Sequence, residues 1–210
     1  MVLRLTETLD LPLRERNELL RAAGFSPAFP ERGLDEPEMA PVRGIVDQML
    51  RNHNPYPAFL LDRLWNLLDA NETARKIFPM PVGDEAANAV ELFLGPGAFR
   101  DMVENWSEVA WATLTRLRRE VVAAGHDSEL AGVLARGEDY LRDVPAPEGF
   151  DSNSPVIAPR LHLGDQTLST VSAIAHFTAA RDVTLEELRV ELVFPADSTA
   201  EGFFEALSAS

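Results

Sequence analysis

Residues 56–71 have the sequence YPAFLLDRLWNLLDAN, and this stretch decides the fold class. It contains two short apolar runs, PAFLLD and LWNLLD, which are separated by Arg63. Runs of this length are typical of two buried strands joined by a tight turn. Asn71 comes next and predicts the start of a helix over residues 72–78, because its side-chain oxygen can accept a hydrogen bond from a free amide in the first turn.

A helical region is predicted after the strand pair. Apolar residues recur at steps of three and four positions through residues 99–121, which indicates one long amphipathic helix that Gly125 ends. Asp127 or Ser128 can start a second helix, which must end before Pro145. The middle of the chain is therefore expected to be helical.

The pattern changes to a period of two in the last third of the chain. Residues 156–163 and 167–177 flank Gly164 in a turn, and residues 187–194 alternate between charged and apolar side chains. Residues 199–207 suit a closing helix. Strands on both sides of a helical middle predict an α+β fold with one antiparallel or mixed sheet.

The N-terminal part differs in composition from the rest. Residues 1–24 predict two short helices, and residues 25–41 contain four prolines, which neither a helix nor a strand ladder tolerates. Residues 42–53 again suit a helix with one apolar stripe. We therefore predict a short helical segment at 1–24, a linker at 25–41 and one domain at 42–210.

Charge and composition restrict the functions that the chain can have. It has 19 Lys and Arg against 34 Asp and Glu, a net charge of −15, so its surface would repel DNA phosphates. There is no cysteine, which excludes disulfides and thiolate zinc sites. No apolar run is long enough to span a membrane, and the N-terminus lacks the pattern of a signal peptide, so we expect a cytoplasmic location.

Several segments resemble one family of bacterial regulators. Residues 3–25, LRLTETLDLPLRERNELLRAAGF, resemble the end of a Xre-type helix-turn-helix domain. Residues 56–65 and 69–71 resemble the opening of the MmyB-like ligand-binding domain that follows it in those regulators. Residues 105–110, NWSEVA, and 114–120, LTRLRRE, resemble that domain's central helix.

The resemblance implies both a fold and a function. Members of this family are similar to PAS domains, in which an antiparallel sheet and helices enclose a small pocket. It implies the regulatory domain of a helix-turn-helix transcription regulator, which binds a small apolar ligand such as a fatty acid and thereby alters DNA binding. Residues 1–24 are then the C-terminal helices of the DNA-binding domain, whose recognition helix we expect to be absent from this chain. Residues 151–210 match the family only loosely.

The candidate ligand-binding residues are apolar side chains expected to line the pocket, with His176, or alternatively Ser172, as a polar contact. The set is Phe59, Leu61, Trp65, Phe99, Met102, Trp106, His176, Phe177 and Phe194. Each aromatic residue in it also suits ordinary core packing.

Catalytic and metal sites are not predicted. The four histidines, His53, His126, His162 and His176, show no paired spacing of metal ligands, and no serine lies in a Gly-x-Ser-x-Gly turn. We therefore expect a protein that is not an enzyme and has no cofactor. The alternative function is a ligand-free dimerisation or partner-docking module, marked by an exposed apolar surface on the sheet or on the helix at 42–50. A homodimer is expected in either case, because palindromic operators are bound by dimers.

Overall fold

The structure is a computed structural model that describes residues 1–78, 87–125, 127–152, 154 and 156–208. The helices within these ranges are α1 (Val2–Thr8), α2 (Leu13–Ala22), α3 (Ala40–Asn52), α4 (Glu72–Ile77), α5 (Ala89–Leu94), α6 (Ala98–Met102), α7 (Trp106–Ala123), α8 (Ser128–Tyr140), α9 (Val183–Glu187) and α10 (Ser198–Ser208). The strands are β1 (Ala58–Leu61), β2 (Leu67–Ala70), β3 (Arg160–Leu163), β4 (Gln166–His176) and β5 (Arg189–Pro195). None of these helices has the length and apolar character that a membrane crossing requires.

The five strands form one antiparallel sheet in the order β2-β1-β5-β4-β3. β5 lies at the centre, where Glu191 pairs with Phe59 of β1 and with Ile174 of β4. Val193 pairs with Ser172 in the next row on the same face. This sheet with its helical middle confirms the predicted α+β, PAS-like fold.

The predicted strand pair and helix cap are confirmed. The carboxylate of Asp62 closes the turn between β1 and β2, since its Oδ1 accepts hydrogen bonds from the amides of Leu64 and Asn66 at 2.8 and 2.9 Å. The side chain of Asn71 accepts from the amide of Ala74 in α4 and from that of Ala58 in β1, both at 3.0 Å. One buried amide therefore joins the helix start to the sheet.

The long helix predicted over residues 99–121 is in fact broken into α6 and α7. At the break, Val103 forms a bridge with Leu161 of β3. The side chain of Asn105 accepts from the amide of Arg160 at 2.9 Å and donates to the carbonyl of Ala158 at 3.0 Å. These contacts come from residues more than fifty positions away, so the helical periodicity alone could not reveal the break.

The two faces of the sheet are covered differently. We call the face towards α5–α8 the inner face and the face towards α3 the outer face. The outer face presents Leu60 and Val190, which form a closed cluster with Val46 and Leu50 of α3. The inner face contributes Phe59 and other residues to a much larger core with α4–α8 and α10.

The N-terminal segment is attached to the domain rather than free. In α2, the Nε of Arg14 donates to Glu187 of α9 at 2.6 Å. The side chain of Asn17 donates to the carbonyl of Phe29 at 2.7 Å, and the amide of Val183 donates to the carbonyl of Pro30 at 2.8 Å. The proline-rich stretch, predicted as a linker over residues 25–41, is irregular only up to residue 36, because Pro37 and Pro41 lie in first helical turns, which tolerate proline. The irregular part is hydrogen-bonded to the start of α9.

Candidate ligand-binding site

A cavity of about 410 Å³ lies between the inner face of the sheet and α7. This volume falls within the range of about 300–1,000 Å³ that is usual for small-molecule sites. Its walls come from β1, β4, β5, α7 and the residues that precede β3. The aromatic side chains in the lining are Phe59, Trp65, Phe78, Phe93, Phe99 and Phe150.

One end of the cavity is built from phenylalanine rings. The ring centroids of Phe59 and Phe78 are 5.8 Å apart, those of Phe78 and Phe99 are 6.1 Å apart, and those of Phe93 and Phe99 are 4.6 Å apart. Rings at these separations pack favourably and remain rigid. This end provides a preformed apolar surface with no ionisable group on the four rings.

Trp65 forms part of the wall between the apolar end and the charged end. Its backbone lies in the left-handed region with a φ of +67°, a costly conformation for a bulky residue, and its amide donates to the carbonyl of Asp62 at 3.1 Å. The indole Nε1 donates to Oε2 of Glu120 at 2.8 Å. The guanidinium carbons of Arg116 and Arg189 lie 4.5 and 5.0 Å from the ring centre, within cation–π range.

Arg189 anchors the charged end. Its Nη1 donates to both carboxylate oxygens of Glu120 at 2.9 and 2.8 Å. Its Nη2 donates to the carbonyls of Asp62 and Arg63 at 2.8 and 3.1 Å. Burial lowers the pKa of Arg189, and the Glu120 carboxylate opposes that shift, so the guanidinium stays charged. The side chain thereby ties β5 to α7 and to the β1–β2 turn.

Further polar side chains line the cavity close to Arg189. Arg116 donates through Nε to Oε1 of Glu120 at 2.9 Å, and Nη2 of Arg119 donates to the carbonyl of Ser152 at 2.9 Å. Glu191 also lines the cavity, and among the described residues its carboxylate has neither a hydrogen bond nor an ion pair. The cavity is therefore apolar at one end and charged at the other, and the two parts meet where Glu191 of β5 pairs with Phe59 of β1.

Comparison with protein families agrees with this architecture. The family model described as the MmyB-like transcription regulator ligand binding domain matches residues 42–207. The chain belongs to this family. It is a family of transcription regulators rather than of enzymes. No curated protein matches the chain significantly.

Three of the nine sequence-predicted residues line the cavity of this MmyB-like domain, namely Phe59, Trp65 and Phe99. Leu61 and Trp106 are buried in the inner core outside the lining, and Met102 packs against that core. The indole of Trp106 donates to the carbonyl of Phe93 at 2.8 Å, so it supports a lining residue from behind.

The late residues of the predicted set lie outside the cavity lining. Phe177 packs into the outer-face cluster, and Phe194 is 38% exposed with its ring edge-on to His53 at 4.8 Å. His176 is exposed at the end of β4, beyond the charged end. Partial burial lowers the pKa of His176, and the charges of Arg189 and Arg116 lower it further.

The charged lining residues are absent from the set predicted from the sequence. Arg116, Arg119 and Glu191 are missing from it because that prediction rests on apolar side chains. One signal was present: the strand at 187–194 alternates so regularly that one of its faces must carry all of its charged residues. Ser172, which the sequence gives as the alternative polar contact, does line the cavity.

The three histidines that the structure describes, His53, His162 and His176, are not grouped. His53 donates through Nε2 to the carbonyl of Val193 at 2.8 Å, and His162 contacts Thr167 through Nδ1 at 2.9 Å. His126 lies outside the described residues. Within the described ranges, no three His, Asp or Glu side chains are arranged to hold a metal ion.

Proposed function

We propose that this domain is the effector-sensing part of a helix-turn-helix transcription regulator. It binds a small apolar ligand, such as a fatty acid, in the inner-face cavity, and the ligand alters the affinity of the regulator for DNA. The observation that carries the proposal is the aromatic-lined cavity of about 410 Å³ in a member of the MmyB-like ligand-binding family. A ligand can act in this way because it favours one of two conformations by its differential affinity for them.

In this proposal the apolar part of the ligand contacts the phenylalanine rings. Phe59, Phe93 and Phe99 offer the surface for an alkyl chain, and Trp65 borders its polar end. Burial of an alkyl chain stabilises the complex by about 0.8 kcal/mol for each methylene group removed from water. Leu61, Met102 and Trp106 would then act by packing behind the lining.

A series of polar contacts leads from the cavity to the N-terminal helices. Arg189 binds the backbone of Asp62 and Arg63 in the β1–β2 turn. The guanidinium of Arg63 forms ion pairs with Asp127 and, at 3.6 Å, with Glu187, which in turn binds Arg14 of α2. A ligand that moves the turn would thereby change how α2 is held.

DNA contact is assigned to a helix-turn-helix domain of which residues 1–24 form the last helices. The net charge of −15 makes the sensor body itself unsuited to bind phosphates. We propose that the regulator acts as a homodimer, as recognition of a palindromic operator requires.

A substitution that fills the cavity tests the proposal. Ala112 lines the cavity from α7, so Ala112→Phe should occupy the space that the ligand needs. Ala135 is exposed on α8, and Ala135→Phe is the matched control because it adds the same ring outside the cavity. Binding of dodecanoate to the purified chain is measured by titration calorimetry, with native mass spectrometry for molecules that co-purify.

We expect the wild type and Ala135→Phe to bind dodecanoate and Ala112→Phe to lose binding by tenfold or more. Absence of binding by the wild type, with no co-purifying molecule, would refute the proposal. Equal binding by Ala112→Phe would place the ligand elsewhere.

The ligand-free alternative depends on an exposed apolar surface. The apolar stripe of α3 does not provide one, because Val46 and Leu50 are buried against the sheet and Val42 and Met49 pack beside them. Of that helix, Ile45 remains as a large exposed apolar side chain. The structure therefore favours the sensor over this form of docking module.

A further inference from the structure

The charged end of the cavity brings opposite charges within reach of one head group. The Nε of Arg116 and the Nη1 of Arg189 donate to the same oxygen, Oε1 of Glu120, at 2.9 Å each. Glu191 follows Arg189 by two positions on the same face of β5, so their Cα atoms are about 7 Å apart. Arg116 and Glu191 both line the cavity. Both side chains therefore face a ligand that occupies the cavity.

Both groups retain unused hydrogen-bonding capacity. In the part of the chain that the structure describes, the terminal amino groups of Arg116 have no acceptor, since its one hydrogen bond uses Nε. Glu191 is flanked across the sheet by Phe59 and Ile174, neither of which has a side-chain donor. A guanidinium binds a carboxylate through such amino groups, whereas an ionised carboxylate can only accept.

These two requirements differ in chemistry. Arg116 calls for an anionic acceptor on the ligand, and Glu191 calls for a hydrogen-bond donor beside it. A simple fatty acid supplies the first and leaves the carboxylate of Glu191 without a donor next to an apolar chain, which is unfavourable. The phenylalanine rings at the other end require the apolar tail.

We infer that the ligand is an acyl-chain acid with a hydrogen-bond donor close to its carboxylate, such as a 3-hydroxy acid. Its tail lies among the phenylalanine rings, its carboxylate binds Arg116, and its hydroxyl donates to Glu191. This inference rests on the proposed function and adds the head-group chemistry to it.

The test compares two probes that differ by one hydroxyl group. Dodecanoate and 3-hydroxydodecanoate are titrated calorimetrically into the wild type, into Glu191→Leu and into Glu205→Leu. Glu205 is exposed on α10, so its variant matches the change in charge and side chain away from the cavity. Glu191→Gln replaces Glu191→Leu if the latter does not fold, as judged by circular dichroism.

We expect the wild type and Glu205→Leu to bind the hydroxy acid about tenfold more tightly than dodecanoate, as one hydrogen bond to a charged group allows. The preference for the hydroxy acid over dodecanoate should disappear in Glu191→Leu, or fall markedly in Glu191→Gln. Equal binding of both probes by the wild type, or a preference that survives both changes at Glu191, overturns the inference alone. Failure of the wild type to bind either probe overturns the proposed function as well.

Discussion

The two faces of the same sheet differ in how completely they are filled. On the outer face α3, a helix of 13 residues, buries Val46 and Leu50 against Leu60 and Val190, and Leu188 after α9 belongs to the same cluster. On the inner face the cover consists of shorter helices, breaks and loops together with α7, and a space of about 410 Å³ remains. A closely packed cluster and a cavity therefore lie on opposite sides of the same strands.

The faces also differ in polarity. β5 directs Val190 and Leu192 to the outer face but Arg189 and Glu191 to the inner face. Charged residues normally occupy the face of a strand that meets water. Here Glu191 occupies the side that meets the cavity and Arg189 the adjoining inner core, so the inner face combines charged and apolar side chains.

The largest loss of stability is expected from a substitution of Arg189, the buried arginine at the charged end of the cavity. Arg189→Met removes the buried arginine partner of Glu120, which keeps only Arg116 and the indole of Trp65 as donors, and it leaves the carbonyls of Asp62 and Arg63 without the Arg189 donor. Loss of one member of a buried ion pair costs about 3–5 kcal/mol, which urea unfolding would measure.

The control for Arg189→Met is Arg160→Met. Arg160 and Glu104 form an ion pair in which both side chains are 42% exposed, so its loss should cost about 0–1 kcal/mol. Similar losses at both arginines would show that the inner face does not depend on the buried pair.

The next prediction compares the two faces by the stability lost when one leucine on each face is truncated to alanine. Leu60→Ala removes atoms from the filled outer cluster, and we expect it to cost about 3–4 kcal/mol. Leu67→Ala removes atoms that border the cavity on one side, so fewer contacts are lost and we expect about 2 kcal/mol. Urea unfolding of both variants gives the difference, and a greater loss for Leu67→Ala would contradict this account of the faces.

A smaller difference in stability is expected between threonine substitutions of two valines in β5. Val190→Thr places a hydroxyl in the fully buried outer cluster, where it should cost about 2 kcal/mol. Val193→Thr places the hydroxyl in the cavity lining opposite Ser172, where it should cost less than about 1 kcal/mol. Valine and threonine have nearly the same shape, so each cost reflects the added hydroxyl group. Thermal unfolding measures the two changes in stability. Equal costs would mean that the cavity is as apolar as the outer cluster.

The smallest expected effect is a dependence of stability on pH through His53. Burial lowers the pKa of His53, against the weaker opposite influence of its hydrogen bond to Val193. The unfolded chain therefore takes up a proton first, and stability present above about pH 6.5 is lost as the pH falls towards the folded-state pKa. His53→Gln can keep a donor but does not titrate.

Urea midpoints measured at about pH 7.5 and about pH 5.5 should fall more for the wild type than for His53→Gln. An equal fall in the two proteins would mean that His53 does not contribute to the acid sensitivity.

The fold could be predicted from the sequence further than the site could. The strand pair, the Asn71 cap and the β3–β4 hairpin follow from local patterns, and all are present. The break before α7 depends on Asn105 contacting the residues that lead into β3, which is a tertiary contact without a local signal.

The site was harder to predict because apolar side chains occur on both faces of the sheet. Alternation shows that Val193 and Phe194 point to opposite sides, but it does not show which side holds the cavity. Only the register of β5 against β1 and β4 decides this, and it places Val193 at the cavity and Phe194 beside His53. Phe194, which the sequence predicts to line the pocket, therefore lies outside it, and its smaller neighbour Val193 lines the cavity.

The attachment of the N-terminal helices has a consequence for the order of events during synthesis. Arg14 and Glu187 are 173 positions apart. At about 5–20 residues per second, a ribosome needs roughly ten to thirty-five seconds to pass from one to the other. Throughout that interval the nascent helices lack the α9 surface on which they finally rest, and β1, once it is made, still lacks its central neighbour β5. Helix α2 can therefore dock onto α9 only late in the synthesis of this domain.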